Sequence, residues 1–438
     1  MSQVETVGRS DLITARDNVP GTATPASSGP PEVARLEWWL GDGGDPAALI
    51  ASFLGKYGLG EFKGENGPSP LYCGEAGGYR AQLYVSAAAG AYLAGTAGPP
   101  TPAPAVPDVV VVAYGPGDPA AVESAHRRPA QQVPSGQRLI RHRAAPHGPV
   151  RPGRWRLGPW RPSWAPQAHA AAVGTVREAI ARGDVYQVNL VGHASAGYDG
   201  DPMPALRRVA ALPGARYGGV LAGEGWVLAC ASPETLFEVA GGRIITRPIK
   251  GTRPATEAGR RELLASTKER AEHVMIVDLE RNDLARLAEI GSVRVDELYA
   301  IRRWCDLWQA ESVVSARLGA GVGLADVLRA MCPGGSVTGA PKLAALDVIA
   351  ALEPVGRGPS MGAYGWVTPG RIDLGLTIRT VAVDAERVHL WAGGGITWGS
   401  DPAAEVAEAA AKAAPLRAAL SVGGELRPDR RSPSAAPG

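Results

Sequence analysis

Strand-length apolar runs separated by glycine turns fill residues 217–252, and they constrain the fold more than any other feature of the chain. The stretch YGGVLAGEGWVLACASPETLFEVAGGRIITRPIKGT predicts three strands in succession, with Gly-Glu-Gly and Ala-Gly-Gly at the turns. Tight turns of this kind join antiparallel neighbours. Hairpins and helical patterns alternate along the chain without clean strand–helix–strand units. The sequence therefore predicts an α+β fold with mostly antiparallel sheet.

Helical patterns flank these hairpins. An amphipathic helix that leads into a strand is predicted within residues 169–190, and a long helical region is predicted from residue 255 to Gly291. A third helix covers 340–354, where Pro341 suits the first turn. Residues 371–397 predict two strands that end in a glycine run. A last helix covers 401–420, and Pro415 is expected to bend or break it.

Composition divides the chain into five parts. Residues 1–32 and 422–438 are polar and rich in Gly, Pro and Ser, which predicts disordered tails. Residues 126–166 are dense in Arg, Pro and Trp, which predicts a connector whose tryptophans pack on the body. The connector separates an N-terminal part, residues 33–125, from a more regular core, residues 167–421.

The overall composition excludes several classes of protein. Lys and Arg number 45 against 43 Asp and Glu, a balance that argues against a nucleic-acid-binding protein. We find no apolar run of membrane-spanning length and no secretory signal at the N-terminus, and we expect a cytoplasmic protein. The four cysteines have no C-x-x-C spacing, so we expect reduced thiols at Cys73, Cys230, Cys305 and Cys332.

Residues 334–342, GGSVTGAPK, place glycines directly before a predicted helix. Backbone N–H groups at the N-terminus of a helix favour bound anions. The stretch is not a P-loop, because Ala340 and Pro341 separate Gly339 from Lys342, whereas a P-loop requires Gly-Lys-Ser/Thr together. The spacing alone fits either an anion site or an ordinary capped turn.

The segment WAGGGITWGSDPAAEVAEAAAKA, residues 391–413, joins a glycine run to an acidic helix. Glycines allow a backbone to approach a ligand closely. Glu405 and Glu408 lie at i and i+3, and Lys412 follows four residues later on the same helical face. That face is either solvated surface or a Mg²⁺ site, since Mg²⁺ takes carboxylate oxygens and keeps waters or substrate oxygens in its other positions.

Two further regions carry candidate carboxylates. In ERAEHVMIVDLERNDL, acidic residues surround an apolar VMIV, and a carboxylate such as Glu272 there is either a second metal ligand or half of a helix ion pair. Glu234 lies between an Ala-Ser-Pro turn and Leu-Phe. A carboxyl group in apolar surroundings has a raised pKa, which suits a general acid. The alternative is a partly exposed glutamate at a strand end.

Lys250 in IITRPIKGT and Arg379 in LTIRTV are cations within apolar strand-like runs. Burying either one without a partner is costly. An arginine in such a place indicates bidentate capture of a carboxylate. A buried lysine has a lowered pKa, which frees its amine to act as a base or nucleophile. Each cation is equally compatible with a position at the edge of the sheet. Together the candidates fit a small dianionic substrate held through Mg²⁺.

Seven motifs in order then give the chain a resemblance to a known family. They are SPETLF, RPIKGTRP, ERAEHVMIVDLERNDLARL, CPGGSVTGAPKLAALDVIAALEP, MGAYGWV, DLGLTIRTV and AGGGITWGSDPAAEVAEAAAK. The chain resembles the chorismate-utilising enzymes over residues 170–420, and the N-terminal part is only weakly similar. The resemblance implies one intertwined α+β body built on two large, mostly antiparallel sheets flanked by helices, with Mg²⁺ bound beside chorismate.

The resemblance also implies roles for single residues. The implied metal ligands are Glu272 and Glu405, with Glu408 close by. The implied substrate-binding residues are Arg379, Gly394 and Gly395 for the enolpyruvyl carboxylate, Thr252, Thr338 and Gly339 for the ring carboxylate, and Trp366 and Lys412. Glu234 matches the general acid for the departing 4-hydroxyl group.

Lys250 distinguishes branches of this family. The anthranilate-forming branch carries alanine in PIAGT, whereas PIKGT resembles the branch that forms 4-amino-4-deoxychorismate, a precursor of 4-aminobenzoate. There the lysine is implied to attack ring C2 while the C4 hydroxyl leaves, and ammonia then replaces it at C4. None of the four cysteines lies in a glutaminase-like motif, so the expected source of ammonia is a separate glutamine amidotransferase subunit or free ammonium.

Two departures from the family pattern leave alternatives open. Gln309 is assigned to the position of a family histidine, and Trp366 to that of a tyrosine. The N-terminal pattern supports no prediction of tryptophan binding. The alternative functions are an anthranilate, aminodeoxyisochorismate or isochorismate synthase, and a non-catalytic chorismate-binding subunit.

Overall fold

The computed structural model describes residues 31–62, 78–115, 155–304 and 307–422. The predicted tails and the first part of the predicted connector lie almost entirely outside these residues, as do Cys73 and Cys305. Cys230 and Cys332 are buried free thiols. Among the described helices, none combines the length and the apolar character that crossing a membrane requires.

Two antiparallel sheets form the body, and every strand pair in the described residues is antiparallel. The first sheet has the order β1-β3-β2-β15-β16-β9-β10-β13-β11, with β12 also paired to β13. Its strands are β1 (Glu32–Trp38), β2 (Arg80–Val85), β3 (Val109–Tyr114), β9 (Thr235–Ala240), β10 (Arg243–Arg247), β11 (Ile249–Pro254), β12 (Arg294–Trp304), β13 (Leu307–Arg317), β15 (Ala363–Thr368) and β16 (Arg371–Leu376).

The second sheet has the order β14-β6-β18-β17-β8-β7, and two short strands, β4 and β5, add to β6. Its strands are β4 (Arg156–Leu157), β5 (Arg161–Pro162), β6 (Gln187–Asp199), β7 (Tyr217–Gly223), β8 (Trp226–Ser232), β14 (Gly339–Ala340), β17 (Thr380–Val383) and β18 (Arg387–Ile396). The predicted α+β class with two antiparallel sheets is confirmed.

Helices lie between the strands along the chain. They are α1 (Pro46–Gly55), α2 (Ala87–Leu93), α3 (Pro166–Arg182), α4 (Met203–Ala210), α5 (Glu257–Ala265), α6 (Thr267–Ala285), α7 (Leu324–Met331), α8 (Lys342–Leu352) and α9 (Pro402–Ser421), and two 3₁₀ turns cover Leu40–Asp42 and Gly335–Val337. The predicted helices at 169–190, 340–354 and 401–420 correspond to α3, α8 and α9.

The N-terminal part and the core share one sheet. Strand β3, with the sequence VVVVAY, lies between β1 and β2, and all its side chains are buried in the core cluster. Strand β2 in turn pairs with β15, which lies far along the chain. Apolar side chains on this sheet, such as Phe237, pack against Trp226 and Leu228 of the second sheet in one core cluster. Burying a side chain of this size contributes about 1.5–3 kcal/mol. The pairing of β2 with β15 joins the N-terminal part and the core in one sheet.

Several local predictions were wrong in detail. The third predicted strand is two strands, β10 and β11, which meet at Pro248, a residue that cannot donate to the ladder. The long helical region divides at Ser266, whose hydroxyl accepts the N–H group of Glu269 and caps α6. Helix α6 ends at Ala285, not Gly291. Residues 371–397 form three strands, and α9 continues through Pro415 without a break.

The end of the predicted connector packs on the body. Strands β4 and β5 pair with β6. Trp155 is buried and its indole N–H donates to the carbonyl oxygen of Leu420 at 2.6 Å. Trp164 stacks on the ring of His169 with their centroids 4.6 Å apart. Within the described residues, the tryptophans of this stretch therefore contact protein, as the packing interpretation predicts.

Candidate active site

Lys250 lies at a bulge in β11. The register between β11 and β13 shifts between Lys250 and Thr252, and Gly251 between them has a φ of +71°. A Cβ atom at Gly251 would lie 2.7 Å from Leu263 Cδ1, so a side chain here would strain the backbone and displace the leucine. The bulge re-aims the lysine toward the turn at residues 334–338. Its Nζ atom donates to the carbonyl oxygen of Ser336 at 3.4 Å.

Glu234 is the acidic partner of Lys250. It lies between β8 and β9, is buried, and accepts the N–H group of Ile249 at 3.5 Å. Burial raises the pKa of Glu234, and Lys250 and the Ser336 hydroxyl oppose that rise. Burial lowers the pKa of Lys250, and Glu234 opposes that fall. Desolvation thus favours a protonated acid beside a neutral amine, the pair of states that nucleophilic attack with general-acid assistance requires.

The glycine turn before α8 is tightly built. Thr338 is buried, and its hydroxyl donates to the carbonyl oxygen of Gly334 at 2.9 Å. Gly339 has a φ of +146°, and a Cβ atom there would lie 2.1 Å from the carbonyl oxygen of Gln187. Lys342, which follows the turn, pairs with Asp283 at 2.6 Å. The fold therefore fixes the backbone of this turn beside Lys250.

The acidic helix face meets the glycine strand. A Cβ atom at Gly394 would lie 3.3 Å from Glu405 Oε2, 3.5 Å from Lys412 Nζ and 3.7 Å from Glu408 Oε1. Lys412 also donates to the carbonyl oxygen of Gly393 at 3.0 Å and pairs with Glu408 at 2.7 Å. Glu405 is buried, and burial raises its pKa against a hydrogen bond from Ser400. The face of α9 that carries Glu405, Glu408 and Lys412 therefore packs against the glycine backbone of β18 and is not only a solvent-exposed surface.

Glu272 on α6 approaches the same strand end. Its Oε1 atom accepts the hydroxyl of Thr397 at 2.8 Å, directly after β18. In the described part of the chain, no group of three or more His, Cys, Asp or Glu lies close enough to hold a metal ion. The carboxylates of Glu405 and Glu408 beside Gly394 are oxygen donors of the kind that Mg²⁺ binds, and Mg²⁺ takes waters and substrate oxygens as well. These two carboxylates are compatible with Mg²⁺, and a magnesium site here stays a prediction.

Three other predicted residues have the following contacts. Thr252 follows the bulge, and its hydroxyl accepts the amide of Gln309 at 3.4 Å. Gly395 packs against the Gln187 side chain, whose Nε2 atom would lie 3.0 Å from a Cβ atom there. Arg379 precedes β17, outside a regular strand, with a φ of +49°, and its carbonyl oxygen accepts the N–H group of Ala231 at 3.1 Å.

Trp366 has a different environment. It lies on β15, where its ring packs against Tyr114 with a centroid distance of 5.9 Å and under the guanidinium of Arg80 at 5.3 Å. These neighbours belong to the N-terminal strands. The structure does not bring Trp366 into contact with Lys250 or Glu234, and its role in substrate binding stays a prediction without a supporting contact.

Sequence reasoning missed residues that complete the site. Ser336 contacts both Lys250 and Glu234, and the signal was its place inside the GGSVTGAPK motif. Gln309 on β13 is followed three residues later by Ser312, directly before Val-Val-Ser. Ser312 Oγ lies 2.5 Å from Nε2 of His273, which is fully buried on α6. An imidazole thus reaches this position from a helix.

The family model for chorismate binding enzymes matches residues 67–418, which is most of the chain. The chain belongs to this family. Its fold is also similar to that of anthranilate synthase component I from Streptococcus pneumoniae, with a TM-score of 0.68 and 25% identity over 95% of this chain and 100% of that one. The observed sheets are therefore those of the family.

Sequence relatives fall in two branches of the family. Aminodeoxychorismate synthase component 1 of Klebsiella aerogenes is 39% identical over 256 residues, which cover 57% of each chain. Anthranilate synthase component 1 of Streptomyces coelicolor is 39% identical over 290 residues, 64% of this chain and 55% of that one. The matched segment thus spans somewhat more than half the length of these relatives, and identity alone does not separate the branches.

Proposed function

We propose that this chorismate-binding enzyme catalyses the Mg²⁺-dependent amination of chorismate at C4, which gives 4-amino-4-deoxychorismate. The observation that carries the proposal is Lys250. Its amine interacts electrostatically with a buried acid, Glu234, and Gly251 follows it at a bulge with a φ of +71°. The anthranilate-forming branch resembles this site but has alanine at the lysine position, so a nucleophilic amine there favours chemistry at C4.

The proposed reaction has two steps. The neutral Lys250 amine attacks ring C2, the ring double bonds shift, and the C4–O bond breaks as Glu234 gives its proton to the leaving oxygen, which departs as water. Ammonia then adds at C4, the double bonds shift back, and the C2–N bond breaks to release the lysine as a neutral amine. The new C4 ammonium returns one proton to the Glu234 carboxylate.

We assign the binding of chorismate to the groups around Lys250 and Glu234. The turn at Thr338 and Gly339, together with Thr252, would hold the ring carboxylate. The Gly394–Gly395 backbone and Arg379 would hold the enolpyruvyl carboxylate, with Lys412 beside them. Glu405 and Glu272, with Glu408 nearby, would hold Mg²⁺, which when bound draws negative charge from the substrate carboxylate. We also propose that a glutamine amidotransferase subunit supplies the ammonia.

Product analysis tests the proposal. Purified protein is incubated with chorismate, Mg²⁺ and ammonium, and the product is identified by mass spectrometry and NMR. We expect nitrogen at C4. An ortho-substituted product would assign the chain to the anthranilate type, and unchanged chorismate would support a non-catalytic binding subunit.

Two variants connect the product to the lysine. Lys250→Ala is expected to lose the C4 product, because no amine remains to activate C2. Lys56→Ala removes a lysine just after α1, in the N-terminal part of the chain, and is the matched control that should retain turnover. Equal activity of Lys250→Ala and the control would contradict the proposed role of Lys250.

A further inference from the structure

Glu280 is a buried carboxyl group that the proposed reaction does not use. It lies on α6 with 2% of its surface exposed. Its one hydrogen bond from a side chain in the described residues comes from the Thr246 hydroxyl, which donates to Oε2 at 3.2 Å. No ion pair within 4.0 Å joins Glu280 to a described Lys, Arg or His side chain. A carboxylate in such surroundings lacks the partner that a buried charge requires.

The nearest cation is already engaged. Lys342 on α8 pairs with Asp283, one turn further along α6, at 2.6 Å. Two carboxyl groups and one ammonium group therefore share this buried cluster. Glu234 is a further nearby acid, and whenever it is ionised its charge disfavours a charge on Glu280. Charge balance thus assigns a proton to Glu280 near neutral pH.

Glu280 also contacts the turn that precedes α8. A Cβ atom at Gly335 would lie 3.3 Å from Glu280 Oε1, so the carboxyl group packs directly against the backbone of this turn. The same turn contains Ser336, which contacts Lys250 and Glu234, and it leads into Thr338 and Gly339. The group thus lies behind the backbone that is proposed to bind the ring carboxylate.

We propose that Glu280 makes carboxylate binding at this turn depend on its own protonation, so that substrate binds while Glu280 is neutral and is repelled when it ionises. This inference rests on the proposed function, because it takes the ring carboxylate to bind at Thr338 and Gly339. Glu280 acts through the turn and is a positioning residue, not a catalytic one.

The pKa of Glu280 agrees with this arrangement. Burial and the neighbouring Asp283 raise it, Lys342 and the Thr246 hydroxyl oppose the rise, and together they place it at about 8. Burial also raises the pKa of Asp283, against its pairing with Lys342. Ionisation of Glu280 therefore falls on the alkaline side of neutrality, where chorismate itself gains no charge. Burial also lowers the pKa of Lys250, whose amine acts in turnover.

Calorimetric titration of the full chain with chorismate in the presence of Mg²⁺ tests this inference, at pH 7 and pH 9. If only the neutral form of Glu280 binds substrate, the dissociation constant rises about tenfold over this interval. Glu280→Gln keeps the shape and removes the ionisation, so its dissociation constant should be nearly equal at the two pH values. A wild-type protein with equal affinity at pH 7 and pH 9 would overturn the proposal, as would an unchanged alkaline loss in Glu280→Gln.

Two more variants separate this role from a general structural one. Asp278→Asn removes an exposed carboxylate of the same helix and should keep the wild-type pH dependence. Thr246→Val removes the hydrogen bond that favours ionised Glu280 and should move the alkaline loss to higher pH. An unmoved pH dependence in a folded Thr246→Val protein would count against Glu280 as the titrating group.

The readout is independent of the proposed reaction. Binding reports on Glu280 even where the product carries nitrogen at C2, which would refute only the C4 assignment. A protein that consumes chorismate to the expected product, with pH-independent affinity, would refute only the role of Glu280. A folded protein without measurable affinity at either pH would contradict both.

Discussion

Replacing Arg357 by methionine tests how the fold supports the turn beside Lys250. Arg357 is 9% exposed and forms a double hydrogen bond with Glu353, at 2.9 Å to Oε2 and 2.6 Å to Oε1. It also donates to the carbonyl oxygens of Val337, at 2.5 Å, and Asn189, at 2.6 Å. One side chain thus joins the end of α8, strand β6 and the glycine turn.

The loss should be large because it leaves a charge behind. Glu353 is 4% exposed, and among the described residues it keeps the N–H group of Val191 as its hydrogen-bond donor once the guanidinium is gone. Breaking a buried ion pair by removing one partner costs about 3–5 kcal/mol. We expect Arg357→Met to lower the free energy of unfolding by that amount at pH 7, as measured by urea denaturation.

The partner variant gives the decisive comparison. Arg357→Met combined with Glu353→Gln removes the charge as well as its partner, so the double variant should be more stable than Arg357→Met alone by about 2 kcal/mol. Burial raises the pKa of Glu353 and Arg357 opposes that rise, so the single variant should also recover stability as pH falls from 7 to 5. A double variant as unstable as the single one, or a deficit that does not change with pH, would refute the reasoning.

Two further predictions concern the site. Glu234→Gln removes the proposed acid and should lower kcat about 10²–10⁴-fold with little change in chorismate affinity. Steady-state rates measure kcat, and calorimetry measures the affinity. Gly339→Ala places a methyl group 2.1 Å from the carbonyl oxygen of Gln187, at a φ of +146°. Backbone strain alone costs about 1–3 kcal/mol, and the clash adds to it, so the free energy of unfolding in urea should fall by more than about 3 kcal/mol. Gly291→Ala, at a glycine with open space but a φ of +78°, is the control for backbone strain without a clash.

Local patterns in the sequence predicted the architecture well. Hairpin turns and helical periodicity specify which segments are strands and which are helices, and the absence of strand–helix–strand units predicts antiparallel pairing. The pairing of β2 with β15 was beyond such reasoning, because strand partners far apart in sequence leave no local signal. For the same reason, local patterns could not show which strand of the core pairs with the N-terminal part.

The candidate site was predicted residue by residue but not as a geometry. The spacing of Glu405, Glu408 and Lys412 specifies a common helix face, and the structure shows that this face meets Gly394. Helical spacing could not show that Arg379 has a positive φ, since tertiary contacts set that conformation. Nor could it show that His273 reaches Ser312 from another element.

Protonation is the property of the site that residue types describe least well. Burial raises the pKa of Glu234, Glu280 and Glu405, and burial lowers that of Lys250. Each shift favours the neutral form, so the site carries less charge than its sequence suggests. Glu408 differs, because Lys412 lowers its pKa against the effect of burial. A neutral amine at Lys250 retains its lone pair for attack. The same burial that excludes water therefore supplies both the acid and the nucleophile that the proposed reaction needs.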